Sequence, residues 1–126
     1  MAQVTQCNWE EGVRLDSDRI IALYAKLGPA GAEQLISATM EDLAVQLSIV
    51  ERLVRTGSGD ALQAAIEGLL PLARQVGLPM LARVARDLID CVQQENGPAT
   101  AAVLARLMRI GDRGLTAVWD LADMGV

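Results

Sequence analysis

The chain is predicted to be all-α, an up-and-down four-helix bundle with a short additional N-terminal helix. Three observations carry that expectation. Apolar residues recur at spacings of three and four over long stretches, and no segment alternates apolar and polar residues over a useful length. Alanine and leucine, both strong helix formers, dominate, while the aromatic residues are limited to Trp9, Tyr24 and Trp119. Glycine and proline fall between the periodic stretches, where helices must stop.

Residues 1–14 form an N-terminal segment of ambiguous character, although Trp9, Val13 and Leu15 are apolar enough to pack on the bundle that 15–126 should form. A short first helix opens at Asp16 or Ser17, either of which can cap free N–H groups. It runs through Ile20, Leu23, Tyr24 and Leu27, and Gly28-Pro29 ends it. A long second helix follows, over about 31–56. Ile36, Met40, Leu43, Leu47, Val50 and Val54 make one apolar stripe along it, and Gly57-Ser58-Gly59 breaks it.

The third helix is predicted from Asp60, a good cap, to Gly77. At 100° per residue, Leu62, Ala65, Ile66, Leu69, Leu72, Ala73 and Val76 share one face, which must be buried. Gln63, Ala64, Glu67, Leu70, Pro71 and Arg74 lie opposite and should be exposed. Pro71 deletes one hydrogen bond, the one to the carbonyl of Glu67, and should kink the helix. The fourth helix opens with Pro79, suited to a first turn, and carries Leu81, Val84, Ala85, Leu88 and Val92 to a stop at Asn96-Gly97-Pro98. The last runs over about 99–122. Its inner face is Leu104, Leu107, Val118 and Leu121, and Gly111 and Gly114 should weaken its middle. Short loops make neighbouring helices antiparallel.

The 126 residues suffice for one domain with its own core. No run of eighteen apolar residues occurs, so no membrane span is expected. The start of the chain lacks a basic region followed by an apolar block, so a cytoplasmic protein is expected. Cys7 and Cys91 have neither CxxC spacing nor histidine companions, which argues for reduced thiols rather than zinc. The net charge of −5 argues against nucleic acid as a partner. Arg106, Arg109 and Arg113 recur at helical spacing, as a solvated helix face does. No Gly-rich phosphate loop, Ser-His-Asp set or histidine-carboxylate metal set is present. Neither catalytic residues nor a metal or other cofactor is therefore expected, and the acidic pairs Glu41-Asp42 and Asp87/Asp90 should face water.

The third helix carries a resemblance. Its run is Ile66-Glu67-Gly68-Leu69-Leu70-Pro71-Leu72-Ala73-Arg74-Gln75-Val76-Gly77. This is similar to the motif of histidine phosphotransfer (HPt) domains: small, His, any, Leu, Lys, Gly, any, Ala, with a closing glycine. Leu69, Ala73, Val76 and Gly77 match its structural positions. Leu15-Asp16 and Lys26-Leu27-Gly28 look like the family's opening helix, and Leu78-Pro79-Met80-Leu81 with Ala85 and Leu88 looks like its fourth. The resemblance covers about 15–122.

The departures bear on function. Glu67 stands where the family's phosphorylated histidine belongs, Leu70 replaces its lysine, Pro71 replaces its glycine, and the chain has no histidine at all. Relay requires a nucleophile that accepts and returns the phosphoryl group, and Glu67 is not expected to be phosphorylated. The resemblance thus implies a non-catalytic, pseudo-phosphotransfer interaction module of bacterial two-component signalling. Its expected docking surface is Gln63, Ala64, Glu67, Gly68, Leu70, Pro71 and Arg74, and its expected partner is a response-regulator receiver domain or a sensor kinase. The alternative is a structural bundle that self-associates, as a homodimer, without a signalling role.

Overall fold

A computed structural model describes residues 14–57 and 59–123. The readings made for Cys7, Trp9, Val13 and Ser58 lie outside those residues. The elements are α1 (Ser17–Thr56), α2 (Gly59–Glu67), α3 (Leu69–Gln75), α4 (Pro79–Gln93) and α5 (Gly97–Asp123). No strand occurs among the described residues.

The first two predicted helices are joined in α1 as two helical stretches that meet at Gly28, where φ is 77° and ψ 168°. Only this residue leaves the helical region, so the turn is tighter than the sequence suggests. Glycine takes the left-handed value without penalty, and Pro29 is preset for the opening turn of the second stretch. Ile20 and Leu23 are buried on the first stretch, and Ile36, Met40, Leu43, Leu47 and Val50 on the second, with Val54 half-buried. Leu27, expected to face inward, is exposed, because the chain turns away one residue later.

The helices occupy four corners. α1 packs against α2 and α3, these against α4, α4 against α5, and α5 against α1. The backbones of the diagonal pairs, α1 with α4 and α2–α3 with α5, stand farther apart. Sequence neighbours are thus spatial neighbours, and the two or three residues between successive corners are too few for anything but reversal of direction. Leu62, Ile66, Leu69, Val76, Leu81, Val84, Leu88, Leu107, Ile110 and Val118 fill the space between the corners.

The corner of the predicted third helix, the third corner, differs from expectation: the single helix predicted over 60–77 is α2 and α3, parted at Gly68. Pro71 supplies the reason, since it has no N–H to offer the Glu67 carbonyl. Gly68 itself keeps helical angles (φ −64°, ψ −18°), and its N–H donates to the Ala64 carbonyl at 3.0 Å. The corner therefore continues with one rung missing. It ends in a Schellman turn, in which Gly77 N–H donates to Arg74 O (3.2 Å) and Leu78 N–H to Ala73 O (2.8 Å). Gly77 has φ 74°, and its carbonyl accepts the Asp16 N–H at 2.7 Å. Arg19 Nε adds a bond to the Gln75 carbonyl (3.2 Å), so the start of α1 is tied to the end of α3.

α4 ends in the same kind of turn, with Glu95 N–H on Val92 O (3.0 Å) and Asn96 N–H on Cys91 O (3.2 Å). Here the left-handed position is Glu95, φ 56°, the one non-glycine residue at positive φ among those described. Asn96 Oδ1 then accepts the Ala99 N–H at 3.0 Å, which caps α5 and starts it at Gly97.

α5 runs unbroken through Gly111 and Gly114. They are close-approach positions. A Cβ at Gly111 would lie 2.7 Å from Leu47 Cδ1, and one at Gly114 would lie 3.1 Å from Leu78 Cδ1. Packing of α5 onto α1 and onto the turn before α4 offsets the ~1 kcal/mol that each glycine costs a helix interior. No described helix is long and apolar enough to cross a membrane.

Candidate functional site

α2 and α3 bring the seven residues expected to form a docking surface together on one corner, though not all on its outer side. Ala64, Glu67, Pro71 and Arg74 are exposed, as their angular positions predict. Gln63 and Leu70, expected beside them in solvent, are half-buried. They stand seven residues apart and so share one edge of the corner. Gln63 looks toward α4 from that edge: Gln93 Nε2 donates to Gln63 Oε1 at 3.3 Å. Leu70 packs against the core cluster rather than projecting as an anchor. Leu72, predicted on the buried face, is half-buried as well.

Gly68 holds a different place from the one the resemblance implies. An added Cβ would come within 2.9 Å of Gln46 Nε2 and 3.3 Å of the Ala65 carbonyl oxygen. That same Gln46 amide donates to Ala65 O at 2.9 Å. The missing side chain thus makes room for a contact between α1 and α2 inside the molecule. Below it, Gln75 Nε2 donates to Thr39 Oγ1 (2.8 Å), and the buried Thr39 hydroxyl donates in turn to the Leu35 carbonyl (2.8 Å). These two cross-links fix the distance between α1 and the third corner.

Glu67 stands midway along the corner, at the C-terminal end of α2. Its Oε2 accepts a hydrogen bond from Gln63 Nε2 at 3.2 Å, so a short relay of amides runs Gln93–Gln63–Glu67 across the surface. An amide cannot take a proton from a nucleophile, and the relay orients the carboxylate without activating it. Among the described residues no three His, Cys, Asp or Glu side chains converge where a metal ion would need them. Glu41, Asp42, Asp87 and Asp90 are exposed, as are Arg106, Arg109 and Arg113. Cys91 is half-buried and unpaired.

Three residues escaped the sequence reading, two of them hydrogen-bonded to this corner. Gln46 lies beside the apolar stripe of α1, Gln93 lies in the last turn of α4, and Val45 of α1 is 59% exposed, the most exposed of the large apolar side chains described. A polar residue next to a stripe reads as solvated until the element it faces is known, so the pattern held no signal for either glutamine. No family model matches the chain, and neither a curated protein nor a solved structure does.

Proposed function

We propose that the chain is an HPt-like, pseudo-phosphotransfer module: a non-catalytic, partner-binding bundle of bacterial two-component signalling, working in the cytoplasm and unable to carry phosphohistidine. Its partner is a response-regulator receiver domain or a sensor kinase. One observation carries the reading. Glu67 is exposed in the middle of the third corner, at the position where the resemblance calls for the phosphorylated histidine. The bundle around it keeps the apolar positions of that motif in the core, Leu69, Ala73 and Val76 all being buried.

With Glu67 in place of an imidazole, docking has to rest on shape. Ala64 and Pro71 flank the carboxylate about one turn to either side, and both are exposed. The surface they make is small and largely uncharged, so contact should depend weakly on salt. Leu70 contributes a flank rather than a centre, because half of it is already committed to the core.

Calorimetric titration of the chain with receiver domains and kinases tests the reading. Ala64→Arg, a bulky charge at an exposed small position, should weaken the true partner by ~1–3 kcal/mol. Glu67→Gln, which removes charge and little volume, should matter far less. Loss of binding with Glu67→Gln alone would mean that the carboxylate imitates a phosphoryl group. Should no receiver or kinase bind at all, the module reading falls, and a size measurement in solution then examines the self-associating bundle.

A further inference from the structure

The end of the bundle where α1 gives way to α2 and α4 to α5 holds an open cavity of ≈ 500 Å³. All four corners contribute apolar wall: Val54 from α1, Leu62 from α2, Val92 from α4 and Ala101 from α5. Leu62 belongs to the core and Val54 and Val92 pack against it, so the cavity continues the core outward to solvent. Three helix-end glycines line it too, and the space where their Cβ atoms would lie is open.

Among the described residues, only two side chains with polar ends line this space, Glu95 and Thr100, and none is basic. Glu95 occupies the left-handed position of the α4 turn, where glycine would be unstrained. Glu95 therefore lines the cavity against the preference of its own backbone, the kind of outlier that collects at binding sites. No hydrogen bond or ion pair engages its carboxylate among the described residues. An apolar wall with a single unpaired anion complements one ligand chemistry, an apolar body ending in a cation.

We propose that this cavity binds a small organic ammonium, its nitrogen against the Glu95 carboxylate and its hydrocarbon against Val54, Leu62 and Val92. The site is independent of the Glu67 surface, which lies midway along the third corner.

The test is a chemical-shift titration of the full chain with hexylammonium, hexanol and hexanoate at neutral pH. Hexylammonium should shift the amides of Val92, Glu95, Thr100 and Ala101 and bind at least about threefold tighter than hexanol, as a partly exposed ion pair allows, with hexanoate weakest. Glu95→Gln should erase the advantage of the ammonium over the alcohol while leaving the alcohol unchanged. Thr100→Phe, which places a ring across the cavity, should remove both, with helical content by circular dichroism unaltered. Three outcomes overturn the proposal: hexanol binding as tightly as hexylammonium, an ammonium preference that survives Glu95→Gln, or shifts confined to another surface. The second would trace the preference to the net charge of the chain rather than to this carboxylate.

Discussion

Gly77 and Glu95 stand at the same position of two helix-ending turns and meet its demand differently. At Gly77 the left-handed backbone is free, and a side chain would collide: a Cβ would sit 2.6 Å from the Asp16 carbonyl oxygen. Gly77→Ala should therefore cost at least ~1–2 kcal/mol in chemical denaturation, since both the angle and the contact oppose it. Glu95→Gly should do the reverse and stabilise by ~1 kcal/mol, because it removes the strain of φ 56°. The closing glycine was legible in the sequence. The strained glutamate was not, since Asn96-Gly97-Pro98 announces a stop without saying which residue turns left-handed. Tyr24 is a third case. Its hydroxyl is buried without a hydrogen-bond partner among the described residues. Burial first, then the nearby negative charges of Glu33 and Asp123, raise its pKa above the ordinary 10.0. The neutral phenol is the form the fold prefers, so the resulting stability is present below pH 10.0 and fades as pH climbs through the raised folded-state value. Absorbance titration should show a phenolate appearing later than in the unfolded chain. Tyr24→Phe should leave stability unchanged or slightly higher, because an unsatisfied hydroxyl is lost with little change of shape.

At the scale of elements, the third corner decides how much a helical wheel can say. The wheel placed Leu69 inside and Arg74 outside, where both are found. Leu69→Ala should destabilise by ~2–5 kcal/mol, the range for a fully buried leucine. Arg74→Ala should move stability by less than ~0.5 kcal/mol. A wheel assumes that everything off the apolar face meets water. Gln63 and Leu70 break that assumption because α4 lies along their edge, and only the assembled bundle reveals it. The proline break was legible as a missing rung, and its placement at Gly68 follows from the Glu67 carbonyl that the rung would have used. Pro71→Ala restores the donor and should join α2 to α3, with a gain of about 1–3 kcal/mol by thermal unfolding. The glycines of α5 misled for a related reason. Propensity counts what a glycine costs its own helix and is blind to Leu47 and Leu78, which need the room it leaves.

For the molecule as a whole, topology was the most legible feature. Four periodic stretches with short connections leave few arrangements other than a ring of antiparallel neighbours, and far-UV circular dichroism should report a helical protein without sheet. The candidate surface was legible only in part. Ala64, Glu67, Pro71 and Arg74 follow from angular position alone, whereas the role of Gly68 in admitting Gln46 depends on a contact between residues far apart in the chain. The functional account rests on the claim that Glu67 occupies a vacated phosphoacceptor position on a bundle otherwise suited to docking. Glu67→His measures that claim most directly. The substituted residue would be exposed on a corner whose core is unchanged, so the fold should survive, as a matching circular dichroism spectrum would confirm. Incubated with phosphorylated receiver domains, the Glu67→His chain should acquire an acid-labile phosphoryl label that the parent chain never shows. A folded Glu67→His chain that stays unlabelled by every receiver tested, or a parent chain labelled stoichiometrically at Glu67, would contradict the account.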